Sequence, residues 1–170
     1  MMPMDIKLLF EYNWYCRRKF IDYWKKCSWD IIIEDFGASF GSMYNIFVHS
    51  LEAEQGWLNQ LSIFTHGKNL TWRPHGVMDI ETLEKYTKEV ENENREYLGK
   101  LTRKDFDKIF VGDWVQWVQV PVRIEDILMH VVEEEIHHRG ELLCLMWQND
   151  MEPPLKMWFD WLKETNIITK

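Results

Sequence analysis

The chain has 170 residues, of which 46% are hydrophobic and 28% charged, and it carries ten Trp and a formal net charge of −8. That length suits a single domain over residues 1–170 with one substantial core. The negative charge argues against a nucleic-acid surface, which needs a basic field, and the short run "CRRKF" (Cys16 to Phe20) does not supply one.

Helical periodicity marks the first element, from about Asp5 to Lys26, where Leu8, Leu9, Tyr12, Tyr15, Phe20 and Trp24 recur at helical spacing. The Gly-Ser stretch "FGASFGS" (Phe36 to Ser42) offers caps for a second helix starting at Ser39 or Ser42 and running to Phe64. The loop "HGKNLTWRPHG" (His66 to Gly76) is long for a tight turn and suits a crossover at the end of a bundle. A third helix is expected from Asp79, its N-cap, to Leu101, with a thin apolar stripe amid many charges.

The period then changes in "KIFVGDWVQWVQV" (Lys108 to Val120), where apolar and polar residues alternate around a Gly-Asp turn signal, as in a small hairpin or extended loop. A fourth long helix follows from Ile124 to Gln148, "MEPPLK" (Met151 to Lys156) stops it, and a short amphipathic helix with Trp158, Trp161 and Leu162 closes the chain. The fold class is therefore all-α: a four-helix bundle with a short C-terminal helix and a hairpin-like insertion before the fourth long helix. Cys16, Cys27 and Cys144 are widely spaced and lack a Cys-x-x-Cys pattern, so reduced cysteines are expected. With neither a secretory leader nor a membrane-length apolar run in view, a cytoplasmic location is expected.

The chemistry concentrates in "EEEIHHRGE" (Glu133 to Glu141) on the fourth helix. Residues four apart on a helix differ by about 40° and face one way, so Glu134 and His138 can offer two ligands to one ion. Ile127, Val131, Leu142 and Leu145 lie within about 60° of His138, which points that imidazole at the core with Glu134 at the margin. His137 and Glu133 fall outside the arc. A solvated charged face accounts for the same spacing about as well as a site does, and a lone core-facing His is more often hydrogen bonded than ligating.

His49, in the apolar stripe of the second helix, is the best third ligand, and His49, Glu134 and His138 would leave positions open for water or substrate. His130, one turn before Glu134, is either a further ligand or a supporting residue; His66 and His75 belong to the loop. Glu54, Glu135 and Arg139 also fall inside apolar arcs, predicting a buried ion pair of Glu135 with Arg139 that extends to Glu54. Such a salt bridge serves to lock a bundle at least as readily as to support catalysis.

"GSMYNIFVHSLEAEQGWL" (Gly41 to Leu58), followed by "ILMHVVEEEIHHRGELLCL" (Ile127 to Leu145), resembles the DinB family of metalloenzymes, and "EYNWY" near the start is similar to that family's first-helix pattern. The resemblance spans nearly the whole chain. It implies an up-down-down-up bundle and a divalent metal held by three side chains, usually three histidines, two of them in a His-x-x-x-His pair. His49 and His138 match that pattern; Glu134 stands where the first His of the pair would be. A two-His, one-carboxylate set points to Zn or Ni first, with Mn or Fe as harder alternatives. The substitution equally fits weakened binding or a lost site.

The resemblance further implies transfer of a low-molecular-weight thiol of the bacillithiol or mycothiol type to an electrophilic small molecule, or metal-assisted hydrolysis. His130 or His137 would then move the proton, on position alone, and the Trp-rich segments at Trp72 and Trp114 to Trp117 would wall a substrate pocket or pack a core or dimer. The alternatives are a non-catalytic metal-binding or interaction protein of the stress response, or a purely structural polar cluster. The expected partners are a small-molecule substrate, a thiol and a second copy in a homodimer, without nucleic acid or membrane.

Overall fold

The computed structural model describes residues 5–70, 76, 78–111, 120–154 and 158–165. Four long helices form in it, α1 (Ile6–Trp24), α3 (Met43–His66), α4 (Ile80–Lys100) and α6 (Ile124–Gln148), with the short helices α2 (Trp29–Ile33), α5 (Arg103–Phe106) and α7 (Trp158–Thr165). Three of the four long helices begin at a side chain that caps one of their orphan N–H groups. Asp5 accepts from Lys7 N at 3.0 Å, Ser42 from Asn45 N at 3.1 Å and Asp79 from Thr82 N at 2.8 Å. Gly67, at φ 64°, ends α3 one turn-fraction beyond the Phe64 expected from the sequence.

Strands β1 (Ile109–Phe110) and β2 (Val122–Arg123) pair antiparallel at the two ends of the alternating segment; residues 112–119, including Trp114 to Trp117, lie outside the described residues, and the hairpin or loop expected there with them. Trp72 and His75 lie outside them too. Helices α2 and α5 were not expected, because a few residues are too short to establish a period. No helix among the described residues is long and apolar enough to cross a membrane.

In the bundle α1 packs against α4 and α6, and α3 packs against α4 and, most extensively, against α6. Two apolar clusters fill its ends. One joins Phe20 and Trp24 of α1 to Ile46 and Phe47 of α3, Val90 of α4 and Leu142 and Met146 of α6. The other joins Phe10 and Trp14 of α1 to Leu58 and Leu61 of α3, Tyr97 of α4 and Ile127 and Leu128 of α6. Trp161 of α7 covers Tyr15 and Cys16 on the outer side of α1. Trp14, Trp24 and Trp161 are fully buried, so much of the aromatic content is core, each such ring contributing on the order of a few kcal/mol of burial.

Between the two clusters lies a layer of charge. Arg17 of α1 is 2% exposed and reaches Glu54 Oε2 of α3 at 2.9 Å and Glu135 Oε2 of α6 at 2.5 Å. Its Nη2 also donates to the carbonyl of Ser50 at 3.2 Å. Glu54 Oε1 accepts from Trp14 Nε1 and from Asn94 Nδ2, so all four long helices meet there. This corrects the ion pair expected from sequence. Glu54 and Glu135 are buried as their positions predicted, but their cation is Arg17. Arg139 instead donates to Asn13 Oδ1 at 2.9 Å and stacks over Tyr12. Being i+4 from Glu135 does not aim Arg139 at it, because α1 offers Arg139 both a ring and an amide oxygen.

Candidate metal centre

The α3–α6 contact brings His49, Glu134 and His138 together, with one ligand atom from each lying within 4.8 Å of the others. Glu134 Oε2 is 3.9 Å from His49 Nε2 and 3.6 Å from His138 Nε2, and the two imidazole rings stand edge to face with centroids 4.8 Å apart. Two imidazole nitrogens and a carboxylate oxygen so placed are the donor chemistry of a divalent ion, and the residues present fit one. The burial follows the helical period: His138 is buried, Glu134 and His49 are half-buried, and Glu133 and His137 are exposed.

A further shell fixes His138. Its Nδ1 donates to Glu141 Oε2 at 2.7 Å, which leaves the Nε2 lone pair facing Glu134 and His49. Ser39 Oγ donates to the same Glu141 oxygen at 2.9 Å. Burial alone would raise the Glu141 carboxyl, but the hydrogen bonds from His138 and Ser39 outweigh it and hold its pKa below the ordinary value. Burial lowers the pKa of His49, with the neighbouring His138 adding to the effect and Glu134 and Glu141 opposing it. His49 is thereby kept neutral near pH 7, the form that binds a metal.

Phe40 completes the enclosure, stacking on His49 at a 3.9 Å centroid distance and meeting His138 edge-on at 5.4 Å. Ser39 and Phe40 sit in the turn before α3, where Phe36 N donates to Gly41 O and Asp35 Oδ1 accepts from Gly37 N. Gly37 and Gly41 have φ of 71° and 81°, and a Cβ on Gly41 would stand 3.0 Å from Asp35 Oδ1. The left-handed backbone alone costs an L-residue about 1–2 kcal/mol. Gly41→Ala is therefore expected to lower the unfolding free energy by at least that much in urea titration. Gly37→Ala, which meets open space, should cost less.

Beside His49 opens a cleft of about 520 Å³ lined by Phe40, Tyr44, Asn45, Val48, Glu52 and Gly76. His137 lies at the outer edge of the site, its ring 4.9 Å from that of His138. His130 faces Trp57 edge-on at 5.6 Å, one turn away from Glu134 along α6. His66 is remote, edge-on to Tyr97 beside a separate cavity of about 320 Å³ between the ends of α3 and α4.

Sequence reasoning missed Ser39, Phe40 and Glu141. Glu141 carried a signal, since it lies i+3 from His138 on the same helix face. The turn residues carried none beyond the two glycines that shape it. A family model described as the DinB family matches residues 2–165. No curated protein matches the chain.

Proposed function

The chain belongs to the DinB family, and from that premise we propose that it is a metal-dependent enzyme acting on an electrophilic small molecule with a low-molecular-weight thiol as co-substrate. Metal-assisted hydrolysis in the same cleft is the second form of this reading. The observation that carries it is the convergence of His49, Glu134 and His138 next to an open cleft, with Glu141 fixing the tautomer of His138.

His49, Glu134 and His138 would hold the ion. When bound, a divalent cation supplies a Lewis-acidic centre that lowers the pKa of a thiol or of water. The chain's own residues do the rest. Glu141 takes the Nδ1 proton of His138 in a hydrogen bond and Ser39 holds Glu141 in place. Phe40 shields His49 from water on one face, while Tyr44, Asn45 and Val48 present a mixed polar and apolar wall for the substrate. His137, exposed beside His138, is placed to pass the released proton to solvent. His130 lies on the other side of Glu134, beside Trp57, and is less well placed for that step.

The test is a thiol-conjugation assay on metal-loaded, tag-free protein with a panel of bacillithiol-type thiols and electrophiles, run beside ester and amide substrates. Turnover that disappears in His49→Ala supports the enzyme reading. Tight metal binding without turnover across both panels overturns it in favour of a non-catalytic metal-binding protein.

A further inference from the structure

Glu134 belongs to two clusters of metal-binding side chains. One is the set with His49 and His138. The other is His130, Glu133 and Glu134, whose ligand atoms likewise lie within 4.8 Å of one another. We infer that Glu134 is a bridging carboxylate, and that a second divalent cation binds at His130 and Glu133 beside the first. The inference rests on the metal reading above for its first ion.

The chemistry of the shared residue carries the argument. A carboxylate has two oxygens and can serve two ions at once, whereas a neutral imidazole has a single lone pair to give. Glu134 turns Oε2 toward His49 and His138. On its N-terminal side, His130 and Glu133 stand at i−4 and i−1, the first on the same helix face and the second beside it. The His130 ring is set against Trp57 of α3 at an interplanar angle of 88°, and its Nδ1 is 3.9 Å from Glu133 Oε2. A His at position 134 would leave His130 and Glu133 as a two-ligand pair; Glu at 134 makes a third donor available to them.

The remaining cluster, His137, His138 and Glu141, does not compete as a site. Its Glu141 oxygen already accepts from His138 Nδ1 and from Ser39. The second position offers one nitrogen and two carboxylates, half open to solvent, which suits an oxygen-preferring ion such as Mn²⁺ completed by water. Its exposure also makes it the weaker of the two.

The experiment is titration of tag-free, metal-stripped protein with Mn²⁺, free ion being counted by its paramagnetic resonance signal. Two ions per chain are expected, the second at least tenfold weaker. His130→Ala and Glu133→Gln, both at accessible positions, should each remove the weaker ion and leave the affinity of the tighter one within about twofold. Glu134→His should keep the tighter ion and lose the weaker. A single ion that is lost in His49→Ala overturns the bridge and leaves the first site standing. A second ion that survives both His130→Ala and Glu133→Gln overturns it as well. No Mn²⁺ bound at all, with Zn²⁺ also failing to bind, overturns the first-site reading together with the bridge.

Discussion

Arg17→Met is expected to lower the unfolding free energy by about 3–5 kcal/mol, the cost of leaving a buried ion without its partner. Glu54 and Glu135 would then share the bundle centre as two carboxylates with no cation between them. Glu54 would keep its hydrogen bonds from Trp14 and Asn94, but these do not cancel its charge. Chemical denaturation at pH 7 reads the loss. The pH dependence adds a check. Burial raises the Glu54 pKa above its ordinary value even with Arg17 opposing it. A carboxyl raised in the folded state favours folding when protonated and loses that contribution as pH rises through its folded value. The deficit of Arg17→Met should therefore shrink as pH falls from 7 toward 4.5.

Arg17 also reaches past stability. Its guanidinium holds the carbonyl of Ser50 and the carboxylate of Glu135, which follow His49 and Glu134 directly in the chain. It ties together the two helices that carry the proposed ligands. Arg17→Met should thus weaken metal binding by roughly 10–100-fold, the range for residues that orient ligands without touching the ion. The triple variant Arg17→Met, Glu54→Leu, Glu135→Leu separates the roles. It removes all three charges of this central layer and should recover much of the stability while leaving metal affinity reduced. Recovery of both would mean that Arg17 only neutralises its partners.

His138→Ala is expected to abolish binding of the ion held with His49 and Glu134, and His49→Ala to weaken that binding by orders of magnitude. Each removes one of three ligands, and His138 is the one held in its tautomer by Glu141. In the wild type, metal at a hundred times its dissociation constant adds about 2.7 kcal/mol to stability, a shift that neither variant should show. Metal affinity should fall with pH, because a protonated imidazole cannot ligate. His49 titrates below the ordinary 6.5, so the unfolded chain binds the proton first. The contribution of His49 to apo stability is therefore intact above that value and lost as pH falls below it toward the folded pKa. Calorimetric titration from pH 5 to 8, beside thermal melts with and without metal, measures both effects. Unchanged metal content in both variants would exclude this ligand set.

These expectations rest on parts of the molecule that differ in how far the sequence discloses them. Helical spacing alone turned His138 and Glu135 inward and His137 and Glu133 outward, because a regular helix fixes relative direction once its apolar face is known. It also located the four long helices, the cap at Asp79 and, as one of two serines, the cap at Ser42. It did not find Arg17. An arginine within "CRRKF" looks like one more surface cation, since arginines are rarely fully buried, and only the packing of α1 against α3 and α6 gives it two carboxylates. Ser39 and Phe40 were hidden for a related reason. A turn has no period to read, and where it lays its side chains depends on left-handed glycines and on what it folds against.

The proposed ligands stand on α3 and α6, with α4, α5 and the β1–β2 pair between them in the chain. This order bears on the time course of folding. A cation meets its complete ligand set only after the last long helix has docked, so it has little to grip in the partly folded chain and cannot nucleate assembly. Interactions that form after the transition state act on escape from the native basin rather than on entry into it. Metal bound here would slow unfolding and leave the refolding rate near that of the apo protein. Scarcity of the ion would then shorten the lifetime of the folded chain without delaying its formation.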